Sequence, residues 1–216
     1  MRILSLIAFI AVTGMHLYAS LKQNTRLRAQ TKPFILLTLL AFYVLSAVPV
    51  LAAVVLALIF SWIGDVLLIP KGVKWFTAGG ISFMLSHVFF ILSYASLTDF
   101  DKVGKVYMAA LPLLFIISSL VIFKKLRPHL PHGLFYPMLL YLIINGFMNC
   151  FAWFMSLSNP GPAGLITAAG ALLFYMSDSS LFFVRFKKDS LLRTHFFVML
   201  TYSLGELLIV IGLILH

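Results

Sequence analysis

The sequence predicts an all-α protein that crosses a membrane as a bundle of eight helices, and three observations carry that prediction. Of 216 residues, 62% are apolar and only 10% are charged, against roughly 25% charged in an ordinary soluble domain. The apolar residues gather into runs near the twenty or so that a helix needs to span the hydrocarbon. Between the runs lie short connections rich in Lys, Arg, Pro or Gly, too short for a second soluble domain. Residues 1–216 therefore read as one transmembrane helical domain.

The spans cover approximately residues 3–21, 33–48, 50–69, 75–97, 106–123, 133–157, 164–184 and 195–215. The first follows Met1-Arg2 and ends in Tyr18-Ala19-Ser20. Its apolar run exceeds a secretory signal core and no small-x-small cleavage site follows, so it is expected to be retained. The second and third are divided only by Val48-Pro49-Val50. A single helix over 33–69 would stretch about 55 Å, against a hydrocarbon core of about 30 Å, so two short helices are expected. The fourth lies between PKGVK and TDFDKVGK, and the fifth ends before KKLRPHLPH. The sixth stops at SNPGPA, the seventh runs into RFKKDSLLRT, and the eighth closes the chain.

Loop charge sets the sidedness of these spans through the positive-inside rule. Thirteen of the sixteen Lys and Arg residues fall in KQNTRLRAQTK, PKGVK, KKLRPHLPH and RFKKDSLLRT, all on one side. The other side holds only Arg2, Lys102 and Lys105. The basic side is assigned to the cytoplasm, both termini face outward, and compactness with short loops suits a bacterial inner membrane. The net charge of +10 speaks for anionic headgroups as partners and not for nucleic acid, since no basic helix or RNA-binding motif accompanies it. Cys150 is a lone cysteine in an apolar stretch and implies no disulfide.

Three acids lie inside the spans: Asp65, Asp178 and Glu206. A charged acid at mid-bilayer costs about 2.5–3.5 kcal/mol on insertion scales, so each needs a cavity, a partner or a proton. Asp65 lies five residues before Pro70, and Asp178 seven before Arg185, each on a helix running toward the cytoplasm. At about 1.5 Å per residue both sit roughly 8–10 Å inside the boundary. Each also follows a small residue and an aromatic, in Trp62-Ile63-Gly64-Asp65 and Tyr175-Met176-Ser177-Asp178. The two helices are four apart in order, the third and the seventh, the pattern of a parallel 4+4 repeat. Two carboxyl groups facing one cavity suit general acid–base chemistry through an oxocarbenium-like transition state, one holding a proton while the other is anionic. Asp65 and Asp178 are thus the expected catalytic pair.

Other polar residues are expected around them. His87 and Tyr94 share a helix face, as do Asn145 and Asn149, and Tyr202 and Glu206. For the asparagines, interhelical hydrogen bonding is the plainer use of an amide in lipid. His87 reads equally as a proton-shuttling imidazole and as a buried neutral one. Lys32, opening the second span before Pro33, either reaches a phosphate or snorkels to water. Lys32, His87, Tyr94, Asn145, Ser177, Tyr202 and Glu206 are the expected substrate contacts. No cluster has metal-ligand spacing, and HEXXH, the G-x-S-x-G elbow, the Walker loop and the dinucleotide fingerprint are all missing, so neither metal nor cofactor is expected.

The strings FSWIGDVLL, GGISFMLSHVFFILSY, GALLFYMSDSSLFFVRF and TYSLGELLIVIG, with TKPF at the second span, resemble the YhhN-type lysoplasmalogenase family of integral membrane hydrolases. The matching segments fall in order on spans two, three, four, seven and eight. The resemblance implies hydrolysis of the vinyl ether of a lysoplasmalogen, a single-chain ether phospholipid, to a fatty aldehyde and a glycerophospho-headgroup. It also implies that Asp65 and Asp178 are the functional aspartates. Glu206 departs from the resemblance, which leads one to expect glutamine there. Protonation of an electron-rich vinyl ether gives an oxocarbenium ion that water captures, which two carboxyl groups can drive; which aspartate is the acid stays open.

Two rival readings share the buried acids. An intramembrane aspartyl protease would show Gly-x-Gly-Asp and Tyr-Asp strings, but Trp62 stands two before Gly64 and Ser177 precedes Asp178. A proton-coupled transporter would also bury acids and a histidine, but no central span is broken by paired Gly and Pro.

Overall fold

In the computed structural model, which describes residues 1–187 and 195–216, all eight predicted spans are helices and no strand occurs among the described residues. They are α1 (Arg2–Leu21), α2 (Thr25–Ser46), α3 (Ala52–Leu67), α4 (Val73–Ser96), α5 (Lys105–Leu126), α6 (Phe135–Ser158), α7 (Pro162–Phe182) and α8 (Phe196–Leu215). Seven are long and apolar enough to cross a bilayer, and the chain is a multi-pass membrane protein. The exception is α3, whose 16 residues reach only about 24 Å. The segment 188–194, which holds Lys188, Asp189 and Arg193 of the last basic connection, lies outside the described residues.

One boundary differs from expectation by two turns. The second helix begins at Thr25 and not near residue 33, because the Asn24 side chain accepts a hydrogen bond from the Leu27 amide at 3.1 Å and caps the helix there. Arg26, Arg28 and Lys32 consequently ride on the opening turns of α2, and the connection shrinks to residues 22–24. Hydropathy locates apolar helix and is blind to a polar first turn. Elsewhere, Asp99 starts a short 3₁₀ turn at Phe100–Lys102, and α7 continues through a π turn at Phe183–Lys187.

The chain divides into two units, residues 1–93 and 94–216. In the first, α1 packs on α2 and α2 on α3. Hydroxyls then join α3 to α4: Ser82 donates to the Phe60 carbonyl at 2.6 Å, and the Ser61 and Ser86 hydroxyls meet at 2.8 Å. Gly64 lets α4 come this close, since a Cβ there would lie 2.7 Å from two carbons of the Phe83 ring.

In the second unit, α5 packs on α6, α6 on α7, and α7 on α8. The α7–α8 contact is backbone against backbone at Gly170 and Gly205. A Cβ on Gly170 would stand 2.7 Å from the Gly205 carbonyl, and one on Gly205 would stand 2.9 Å from the Gly170 carbonyl. Between lipid-soluble helices, where burial of apolar surface gives little drive, such close packing is a principal source of association.

Candidate active site

Within the first unit, α2 and α3 are clipped together at two successive residues. The Lys32 ammonium stands 3.2 Å from Asp65 Oδ1, and the indole N–H of Trp62 donates to the Pro33 carbonyl at 2.9 Å. Trp62 and Asp65 are three apart on α3, so both face α2. The Asp65 side chain is 3% exposed and that of Lys32 is 16% exposed, so the pair is almost out of contact with solvent. In such surroundings each charge depends on the other. Lys32, expected at a phosphate or at water, is thus the ion-pair partner of Asp65.

A second polar contact backs this one on α1. The Thr31 hydroxyl donates to the Leu27 carbonyl at 2.8 Å and stands 2.8 Å from His16 Nδ1. His16 and Thr31 are buried, and neither was singled out by spacing. His87 is fully buried on α4, one residue beyond Ser86, whose partner Ser61 precedes Asp65 by one turn of α3.

In the second unit, α6 presents two donors to Asp178 on α7. The Tyr141 hydroxyl donates to Asp178 Oδ2 at 2.5 Å, and the Asn145 amide donates to the same oxygen at 2.8 Å. Tyr141, Asn145 and Asn149 form one stripe at four-residue spacing, and the Asn149 amide donates to the Asn145 carbonyl at 3.1 Å. The amide oxygens of Asn145 and Asn149 are buried and accept no hydrogen bond among the described residues. A buried acceptor of this kind costs about 1–3 kcal/mol if nothing donates to it.

The remaining expected contacts are placed as follows. Ser177 is buried and donates to the Val198 carbonyl of α8 at 2.8 Å. Tyr202 sets its ring edge-on to Phe174, with centroids 5.3 Å apart. Glu206 and Tyr94 are fully buried. Each unit thus holds one of the two expected aspartates in a preorganised setting, Asp65 beside a cation and Asp178 beneath two neutral donors. Tyr141 was missed from sequence, although it stands one turn before Asn145 on the same face. Buried carboxyl groups held in fixed hydrogen-bonding geometry can exchange protons with a substrate from which water is largely excluded.

A family model, the YhhN family, matches residues 27–213. No curated protein and no solved structure matches the chain.

Proposed function

The chain belongs to the YhhN family, the lysoplasmalogenases, and from that premise we propose that it is a membrane hydrolase that cleaves the vinyl ether of lysoplasmalogens. The match over residues 27–213 carries the reading, and the buried settings of Asp65 and Asp178 support it. The reaction begins with transfer of a proton to the vinyl carbon β to the ether oxygen. The resulting oxocarbenium ion takes up water, which loses its proton to a base and leaves a hemiacetal. The hemiacetal collapses to a fatty aldehyde and the glycerophospho-alcohol. One carboxyl group supplies the proton, and the other, as carboxylate, stabilises the cation or accepts the proton of water.

The surrounding residues have roles in the same proposal. Lys32 neutralises Asp65 at rest and is the cation available to an arriving phosphate. The amide oxygens of Asn145 and Asn149 accept from the free glycerol hydroxyl, the group that distinguishes a single-chain lipid from a two-chain one. His87, Tyr94, Ser177, Tyr202 and Glu206 hold the polar end in place. The basic loops face the cytoplasm of a bacterial inner membrane, where the substrate's headgroup would lie.

Purified protein given defined lysoplasmalogens should release aldehyde and should leave an ordinary acyl lysophospholipid intact. Asp65→Asn and Asp178→Asn should each reduce turnover by at least about 10²-fold, the scale of acid–base catalysis. A two-carboxyl mechanism also requires a bell-shaped dependence of rate on pH, with one limb lost in each variant's residual activity. Wild-type turnover in both variants would remove the mechanism.

A further inference from the structure

The second unit carries a cavity of about 520 Å³ on its flank, formed by α5, α6 and α7. Its volume lies within the roughly 300–1,000 Å³ of small-molecule sites. The wall is apolar over most of its length, from Tyr107 and Leu157 at one end past Leu111 and Leu172. At the other end it turns polar, where the Tyr175 hydroxyl donates to Ser118 at 3.1 Å and lies 3.2 Å from Ser119. Tyr175 is three residues, about one helical turn, before Asp178 on α7. Along the axis of α7 the hydroxyl-bearing end of the cavity is therefore the end nearer the carboxyl group, and the apolar end is the farther one.

We propose that this cavity holds the hydrocarbon tail of the single-chain lipid substrate, with the vinyl ether one turn beyond the Tyr175 end, beside Asp178, an inference that rests on the lysoplasmalogenase reading. The order of the wall matches the order of the molecule: a long chain, then the first oxygen, then the headgroup. Length agrees too. Tyr107 and Ser118 are eleven residues apart on α5, about 16 Å along its axis. Carbon–carbon bonds of about 1.5 Å advance roughly 1.25 Å each along an extended zigzag, so this stretch takes about thirteen carbons. The further turn from Tyr175 to Asp178 takes three or four more. The cavity thus selects tails of about sixteen carbons and leaves shorter ones underfilled.

Tryptophan at the middle of the wall should shorten the cavity. Leu114 is 58% exposed and Leu172 is 38% exposed, so Leu114→Trp and Leu172→Trp add bulk on an open face, and Leu114→Trp stands alone should Leu172→Trp fail to fold. Leu140→Trp, on an exposed part of α6 away from the cavity, is the control. Each protein is assayed for kcat/KM on lysoplasmalogens with 8-carbon and 16-carbon tails. The 16-carbon value should fall at least about tenfold relative to the 8-carbon value in the cavity variants, with the ratio unchanged in Leu140→Trp. A ratio that stays constant in Leu114→Trp overturns the proposal.

A binding readout separates this from failure of the reaction itself. A saturated 16-carbon ether lysophospholipid bearing a terminal diazirine cannot be hydrolysed at a vinyl ether, and on irradiation it should label peptides containing Tyr107 or Leu157. Leu114→Trp should reduce that labelling at least tenfold. If no protein releases aldehyde while this pattern holds, the lysoplasmalogenase reading is wrong and the tail site stands. Labelling spread equally over the Leu140 face, or insensitive to Leu114→Trp, means annular lipid only and overturns the tail site whatever the turnover.

Discussion

Lys32 and Asp65 pay for one another. Neither group is in good contact with water, and removing one partner of a buried pair leaves an uncompensated charge at a cost of about 3–5 kcal/mol. Lys32→Met should accordingly lower the unfolding free energy in detergent by roughly that amount, and adding Asp65→Asn should recover part of the loss. Equal destabilisation in the single and double variants would mean that the ion pair is not the source. Asp178 differs, because its described donors are the neutral Tyr141 and Asn145. Tyr141→Phe removes a hydrogen bond to an acid, worth about 1.5–3 kcal/mol if the acid is charged. Turnover should fall about 10–100-fold while the thermal midpoint changes less than in Lys32→Met; unaltered kcat would detach Tyr141 from the chemistry. The sequence showed the two aspartates because an acid in an apolar run is conspicuous. It could not show their partners: Lys32 and Asp65 are 33 residues apart in the chain, and which faces of α2 and α3 meet depends on packing that spacing does not encode. Tyr141 was hidden differently, since a tyrosine in a membrane span is unremarkable until an acid is found opposite it.

Helices α3 and α4 meet at glycine, and that sets the tolerance of the Gly64-Asp65 string. Gly64→Val would drive branched carbons into the Phe83 ring, and overpacking of this kind costs about 1–3 kcal/mol. Gly14, which has open space around it, should accept alanine with little change in thermal midpoint. Comparing the two variants by thermal unfolding checks whether Gly64 is kept for packing. A different device holds the connection before α5. Asp99, 3.0 Å from Lys102, is held below the ordinary carboxylate value by the Lys102 side-chain hydrogen bond, which outweighs an opposing desolvation with the help of Lys102's charge and the Asp101 and Lys102 amides. A lowered folded value means that the stabilisation is present above the unfolded value of about 3.9 and is lost as pH falls through the folded one. Asp99→Asn should therefore give a small drop in thermal midpoint at neutral pH that closes as the pH descends through the acid range; a drop constant with pH would exclude the carboxylate as its cause. At this scale the sequence was most readable. Hydropathy located all eight helices, because a lipid-facing helix must be apolar along its length. It failed at the start of α2, where an asparagine cap and two polar turns form a helix that no apolar run announces.

For the molecule as a whole, the readable quantity is the asymmetry of positive charge. If α3 crosses together with the seven longer spans, the connections alternate between two sides, and thirteen of the sixteen basic residues share one of them. Cytoplasmic leaflets carry anionic lipid, and each Lys or Arg near such a surface is attracted by about 1 kcal/mol, so the arrangement with the basic loops inside is favoured by far more than thermal energy. On that arrangement both termini, Asn159 and Asp101 are expected to face outward, and Lys71 and Lys125 to face the cytoplasm. Single cysteines test this directly, because native Cys150 is buried and can be replaced by alanine to clear the background. In intact cells a membrane-impermeant maleimide should label Asn159→Cys and Asp101→Cys. Lys71→Cys and Lys125→Cys should react only after permeabilisation. The reverse pattern at all four positions would mean either that the chain is inverted or that the short α3 does not cross, because removing one crossing exchanges the side of every connection that follows it. Lys22→Cys, which precedes α3, separates the two: it should react in intact cells if the chain is inverted, and only after permeabilisation if α3 fails to cross.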